Sequence, residues 1–305
     1  MFANPQSRFL KIAHLILAYK SPEQVYRLAK NLYSPNTHIF IHIDKKIDQR
    51  QFQYIAELPN VKFIRERHYI VWGGYSITEC YISGIKEILA QDKYDYVVLM
   101  SGQDYPLRPN AEFHNFLKEN SGFSMMSVEA KVPKSNWWFY AVERYRYYHL
   151  NDYKFYGKNL VHKISKRLLP SRQFLYPNYQ LYGGPGATFC ALTKQAAEYI
   201  VNFMHNNRKA QRYAKFTHAS DEFWFQTLLM NSPLKDKVIN EPLWYIDWRS
   251  RSKHPKILTV LDYPQLIVSG MFFARKFDMY VDESVLDLLD CHLNERRNRR
   301  SLLTE

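Results

Sequence analysis

Two short stretches carry the residue types that chemistry needs. "THASDEFWFQTLLMNSP", residues 217 to 233, sets Asp221 and Glu222 directly before Phe223, Trp224 and Phe225. A carboxylate held beside aromatic side chains loses hydration, which disfavours its charged form and makes it a better general base near neutral pH. The competing reading is a helix start, with Ser220 as cap and the two acids at the positive end of the helix dipole. "GMFFARKFDMY", residues 270 to 280, puts Arg275 and Lys276 inside an otherwise apolar segment. Buried charges of this kind are costly unless an anion neutralises them. The competing reading here is a strand edge with surface charges.

An absence bears on both stretches. No Asp or Glu has another acid two residues along the chain. Many nucleotide-sugar enzymes hold a divalent cation on such a D-x-D pair. If this chain is such an enzyme, its leaving diphosphate needs another counter-charge, and a preorganised Arg275–Lys276 pair can supply it. Walker A and G-x-G-x-x-G sequences are also missing, so the commonest phosphate loops are absent. "YGGPGAT" (182 to 188) is glycine-rich without a lysine and reads equally as a turn before a strand.

The elements that would position these groups are legible in outline. "KIAHLILAY" (11 to 19) reads as a buried strand, and "SPEQVYRLAKNLY" starts a helix with Ser21 as cap, Pro22 at the first helical position and Glu23 in the first turn. "HIFIHID" (38 to 44), "VKFI" (61 to 64) and "YDYVVLMSGQD" (94 to 104) read as further strands, and "SITECYISGIKEIL" (76 to 89) has helical spacing. This alternation predicts an α/β fold, a mostly parallel sheet flanked by helices. Ligands of such sheets sit at the carboxyl ends of the strands. The residues there are Asp44, Lys45 and Lys46; Trp72, Gly73 and Gly74; and Ser101, Gly102, Gln103 and Asp104. Further on, "ATFCALT" and "PLWYIDW" read as strands. "KQAAEYIVNFMHNN", the stretch from about 220 and that from 283 to 294 read as helices. Residues 130 to 180, rich in Tyr, Lys and Arg, show little periodicity and read as an insertion or loops over the site.

Composition sets the outer bounds. The 305 residues are 46% hydrophobic and 23% charged, enough for a sizeable core, and carry a formal net charge of +13. That balance favours an anionic partner. "NERRNRRS" concentrates four arginines near the C-terminus, read either as a solvated helix end or as a tether to anionic lipid. Cys80, Cys190 and Cys291 lie far apart with no Cys-x-x-Cys, which argues against structural zinc and fits a reducing compartment. No apolar run approaches the ~18 residues of a membrane span, and no signal-peptide pattern begins the sequence. A cytoplasmic protein, peripheral at most on the inner face of the membrane, is expected.

The motifs "FIHIDKK", "VWGGYSITE", "VVLMSGQDYPLRP", "ASDEFWFQTLLMNSP", "LWYIDW" and "FFARKFD", in this order from about residue 12 to 280, resemble the core-2/I-branching N-acetylglucosaminyltransferase and peptide xylosyltransferase family (glycosyltransferase family 14). "WGG" and "FFARKF" look closer to the xylosyltransferase branch, while "SDE" is also similar to the core-2 branch. The resemblance implies a GT-A-type, Rossmann-like nucleotide-sugar fold, a UDP-GlcNAc or UDP-xylose donor, inversion at the anomeric carbon, and no metal or other cofactor. It implies Glu222 as catalytic base, and Arg275 and Lys276, with Lys253 and Arg251, as diphosphate cations. Asp44, Lys46, Trp72, Gly73, Gly74 and Asp104 would line the uridine and donor side, and Thr188, Phe189, Asp221 and Trp248 would lie near sugar and acceptor. It implies one glycosyltransferase domain over 1–305: a UDP-sugar half (11–128), an insertion (129–180), an acceptor and catalytic half (181–280) and a C-terminal helix with a basic tail (281–305). Gly186–Phe189 departs from the Gly-Ser-Asp/Gln-Trp stretch of many members. The membrane anchor and luminal disulfides of eukaryotic members are not seen, so a bacterial-type member is expected, with a glycan or lipid-linked glycan acceptor in surface polysaccharide or lipopolysaccharide synthesis. The alternatives are an inactive sugar-binding relative, or a basic protein binding nucleic acid or a membrane surface. No recognisable nucleic-acid module supports the former of those two binding roles, so no nucleic-acid partner is expected.

Overall fold

The computed structural model describes residues 9–302 apart from 92 and 250–253, with backbone alone for 300–302. β1 (Ile12–Ala18) is apolar and buried almost throughout, as a strand covered on both faces must be. α1 (Pro22–Leu32) follows and turns Val25, Leu28, Ala29 and Leu32 inward. Pro22 stands in its first turn as expected, but Ser21 does not cap it. That residue sits in the left-handed region at φ 51° and its side chain makes no capping hydrogen bond.

The chain continues through β2 (Thr37–Ile43), β3 (Val61–Phe63), α2 (Tyr75–Leu89), β4 (Tyr96–Ser101), β5 (Asp104–Pro106), α3 (Asn110–Glu119), β6 (Ser124–Met126) and β7 (Glu129–Ala130). After these come α4 (Asn136–Arg146), α5 (Lys158–Leu168), β8 (Tyr182–Gly183), β9 (Ala191–Thr193), α6 (Lys194–Asn206), α7 (Arg208–Lys215) and α8 (Trp224–Met230). β10 (Val238–Asn240), β11 (Trp244–Ile246), α9 (Tyr263–Val268), β12 (Phe273–Arg275) and α10 (Ser284–Leu302) complete the described chain. The central sheet has seven strands in the order β10-β6-β9-β4-β1-β2-β3. β1 runs parallel to β2 and β4, β2 to β3, and β10 to β6, while β9 is antiparallel to both its neighbours. The predicted α/β fold with a mostly parallel, helix-flanked sheet is therefore what the chain adopts.

Strand alternation divides the core between the two faces. Ile12 and Ile16 of β1 join Leu28, Phe113 and Leu289 in one apolar cluster, from α1, α3 and α10. Ala13 and Leu15 join Ile85, Ile200 and Phe225 in the other, from α2, α6 and α8. A third, aromatic cluster packs Trp138 and Tyr145 of α4 against Tyr75, Phe174 and Trp224.

Two small sheets lie outside the main one. In β11-β12-β5, antiparallel pairing sets Arg275 opposite Asp104. β7 pairs with β8. The segment 129–180, expected as irregular, contains α4 and α5. Its helices lack the usual sequence signal because aromatic residues from Trp137 to Tyr140 run round successive faces of α4, while α5 buries no residue at all.

Candidate functional site

The turn Ser220–Glu222 joins α7 to α8 and is held from three sides. Ala219, at φ 45°, donates its N–H to the Gly73 carbonyl at 2.8 Å. Ser220 Oγ meets Thr78 Oγ1 of α2 at 2.7 Å, so its hydroxyl ties the turn to α2 instead of capping a helix. Gly184 donates its N–H to the Glu222 carbonyl at 3.2 Å. Phe223, Trp224 and Phe225 are wholly buried and anchor the turn from within.

Burial therefore falls on the neighbouring acid. Desolvation, reinforced by the adjacent Glu222 charge, pushes the Asp221 carboxyl up to about 6. Its Oδ2 accepts a 2.7 Å hydrogen bond from Thr188 Oγ1, while Oδ1 has no partner among the described residues. Glu222 keeps 20% of its side chain exposed and forms an ion pair with Arg144 of α4. The Arg144 guanidinium lies 5.0 Å from the Trp137 ring, and its carbonyl accepts the His218 N–H at 3.0 Å. No local sequence signal marks this arginine, because its partner is 78 residues away.

Trp72, Gly73 and Gly74 form the loop before α2. Gly73 stands at φ +69°, and a Cβ there would lie 2.3 Å from the His218 ring; glycine is required on both counts. Asn151 donates to the Gly73 carbonyl at 2.7 Å, and Asp152 accepts from the Ser76 hydroxyl at 2.6 Å in the first turn of α2. Trp72 stays exposed, edge-on to His218 and His254. The loop, the Glu222 turn and residues 144–152 thus form one cluster. At the end of β2, buried Asp44 accepts the Lys46 N–H at 2.9 Å and pairs with its ammonium at 3.1 Å. That ammonium also donates to the Ile70 carbonyl at 2.6 Å, which ties Asp44 and Lys46 to the chain entering the Trp72 loop.

The second cluster contains Arg275. Its Nε lies 3.4 Å from Asp104 Oδ1, and its guanidinium covers the Phe189 ring at 3.9 Å. Asp104 has no exposed surface. It accepts from Ser101 N–H at 3.0 Å, Ser101 Oγ at 2.9 Å and Trp244 Nε1 at 3.1 Å. Burial raises its carboxyl above the ordinary value, opposed by Arg275 and these hydrogen bonds. Lys276 differs from its neighbour: it has no ion-pair partner among the described residues, and Asp278 pairs with Lys20 instead. Burial, with the Arg275 and Lys20 charges, lowers the Lys276 ammonium. Thr188 binds Asp221 and the next residue, Phe189, stacks under Arg275, so one peptide unit sets the two clusters side by side.

Trp248 is half-buried, its indole N–H unpartnered among the described residues. The expected cations Lys253 and Arg251 lie outside the described residues. Among those residues no group of three or more His, Cys, Asp or Glu is placed to hold a metal ion, and no helix is long and apolar enough to cross a membrane.

A family model described as Core-2/I-Branching enzyme matches residues 12–268. Similar known proteins include xylosyltransferase 2 of Rattus norvegicus, 25% identical over 93% of this chain and 34% of the relative, and the xylosyltransferase oxt of Drosophila melanogaster, 23% identical over 92% and 33%. The chain thus spans about a third of the length of these relatives. Among solved structures, a putative glucose-1-phosphate thymidylyltransferase from Bacillus anthracis has 11% identity and a TM-score of 0.34, over 70% of this chain and 82% of that one. A cytidylyltransferase from Leptospira borgpetersenii has 13% identity and a TM-score of 0.27, over 39% and 54%.

Proposed function

This chain belongs to the Core-2/I-branching enzyme family, a glycosyltransferase family, and we propose that it moves GlcNAc or xylose from a UDP-sugar to a glycan hydroxyl, with inversion and without a metal. The observation that carries the proposal is the pair of adjoining clusters, a partly exposed carboxylate in one and a cation without an ion pair among the described residues in the other. Glu222 takes the proton of the acceptor hydroxyl as that oxygen attacks the anomeric carbon. The bond from the anomeric carbon to the diphosphate oxygen breaks on the opposite face, and UDP leaves with the electron pair. A two-sided displacement of this kind inverts the centre.

Lys276 and Arg275, with Lys253 and Arg251, neutralise the charge that develops on the diphosphate. Asp104, buried behind Arg275, is assigned the positioning of that guanidinium, and Arg144 the orientation of the Glu222 carboxylate in the resting site. Asp44 and Lys46 shape the uridine side through the chain leading to Trp72–Gly74. Thr188, Phe189, Asp221 and Trp248 stand near sugar and acceptor. A bacterial surface polysaccharide or lipopolysaccharide is the proposed acceptor class.

UDP release across a panel of UDP-sugars, with and without EDTA, tests this without knowledge of the acceptor. We expect slow release from UDP-GlcNAc or UDP-xylose that survives EDTA. Loss of activity in EDTA removes the metal-free mechanism. Absence of release from every donor, together with no detectable UDP binding, removes the donor assignment.

A further inference from the structure

α5 is amphipathic with its faces reversed. Leu160, Val161, Ile164 and Leu168 recur at helical spacing and form one stripe. A globular helix turns such a stripe inward, yet here Leu160 is 62% exposed and Leu168 77%, with Val161 and Ile164 also exposed. The side turned to the protein is polar. His162 Nδ1 meets the Tyr148 carbonyl at 3.0 Å, Lys158 donates to the Asn151 carbonyl at 3.5 Å, and Lys166 pairs with Glu143 of α4 at 3.3 Å. Exposed Phe155 and Tyr156 precede the helix. Phe139 and Tyr140, exposed on α4, lie one turn before Glu143 and extend the apolar surface.

Charge identifies the occupant. From Tyr153 to Ala197 the chain has no acidic residue, while Lys154, Lys158, Lys163, Lys166 and Arg167 cluster at or beside α5. Lys163 and Arg167 border the apolar stripe and have no acidic partner among the described residues. Outward apolar side chains bordered by unpaired cations match the interface of an anionic bilayer, where the stripe enters the acyl boundary and the cations meet lipid phosphates. A nucleic acid would leave the stripe uncovered, and a second copy would set this basic helix against itself. The basic C-terminus, the other candidate for such contact, is partly committed to the fold: Arg296 is bidentate to Glu112 at 3.0 and 2.8 Å, and Arg297 bonds Asn31.

We propose that α5, with Phe155 and Tyr156, docks the protein on an anionic membrane surface, lying in the interface without crossing it. This goes beyond the glycosyltransferase reading and does not depend on it. Through the Lys166–Glu143 pair the docked helix adjoins α4, which carries Arg144 to Glu222.

The test is sedimentation of the full chain with phosphatidylcholine vesicles, alone or with phosphatidylglycerol as about one lipid in three. Leu160→Ser/Ile164→Ser/Leu168→Ser and Lys163→Gln/Arg167→Gln are compared with wild type, with circular dichroism and UDP release in solution as controls. We expect wild type to bind the anionic vesicles and not the neutral ones, and each variant to bind at least about tenfold more weakly with its fold intact. The proposal is overturned if wild type stays in the supernatant, or if the variants sediment as well as wild type. It is also overturned if light scattering finds a wild-type dimer that the serine variant abolishes, because the stripe then belongs to a second copy.

Discussion

Lys276 and Arg275 are adjacent cations with different duties, and substitution should separate them. Arg275 balances Asp104, an acid with no exposed surface, so Arg275→Ala leaves a buried charge unpaired. We expect a loss of about 3 kcal/mol or more in urea denaturation. Lys276 faces the like charges of Arg275 and Lys20 and forms no ion pair among the described residues, and the nearby Asp278 is already paired with Lys20, so Lys276→Ala should leave the urea midpoint unchanged or slightly raised. Its cost should appear in UDP release, on the order of 10² in kcat/KM. Equal stability losses for the two variants would refute this division. A pH effect belongs to Asp221. Its folded-state value, about 6, exceeds the ordinary 3.8, so the fold holds this proton more tightly than the unfolded chain does. Between those values stability falls as pH rises. Asp221→Asn should flatten that slope and, above pH 6, raise stability relative to wild type by on the order of 2 kcal/mol; parallel pH profiles for the two proteins would rule it out. At this scale the sequence singles out Glu222, Arg275 and Lys276 as candidates, with aromatic desolvation expected to act on Glu222. The chain turns Phe223, Trp224 and Phe225 into the core and buries Asp221. Arg144 escaped notice because a contact across 78 residues leaves no local pattern.

At the scale of elements, what was legible depended on where the apolar residues point. β1, β2 and β4 read clearly because strands covered on both faces are runs of large apolar residues, and the polar residues that end or follow β2 and β4, Asp44 and Ser101–Asp104, mark the edge of the sheet proposed to carry the site. α2 and α6 read clearly because each buries one stripe. α5 did not, because its stripe faces outward and its fixed side is polar. The Trp72–Gly74 loop is the element through which the Glu222 turn and the proposed donor side are joined, by the Ala219 N–H on the Gly73 carbonyl. Gly73→Ala adds a Cβ 2.3 Å from the His218 ring at a left-handed φ, so we expect a loss of about 1–3 kcal/mol and a fall in kcat/KM. In a His218→Ala background the ring is gone and the φ penalty of about 1 kcal/mol remains, so Gly73→Ala should cost less there. An equal cost in both backgrounds, measured by urea denaturation, would show that the ring and the new methyl never meet.

At the scale of the whole molecule, α10 tests whether the fold is one cooperative unit. It follows the stretch matched by the family model, which ends at residue 268, yet Val285, Leu286, Leu289 and Leu293 are fully buried. The first three share the cluster that contains Ile12 and Ile16 of the central strand. Asp290 adds a polar clamp, accepting from Tyr105 OH at 2.6 Å, Asn31 Nδ2 at 2.7 Å and Arg27 Nη2 at 2.8 Å. α10 therefore holds α1 against the sheet, and the residues just before α1 reach the strand ends that carry the proposed site: Lys20 pairs with Asp278, and the Ala18 carbonyl accepts the Asp44 N–H at the end of β2. If this coupling is real, a defect in α10 should be felt everywhere at once. Leu289→Ala removes a wholly buried side chain from the middle of the helix, and the expected loss is about 2–5 kcal/mol. Tryptophan fluorescence, which reports Trp138, Trp224 and Trp244 from the aromatic cluster and the small sheet, and circular dichroism should give one coincident urea transition, shifted as a whole in the variant. Activity per folded molecule should be retained, because Leu289 belongs to the core cluster and not to either site cluster. A separate early transition seen by circular dichroism while the fluorescence stays native would mean that α10 detaches on its own, and the single-unit reading would fail.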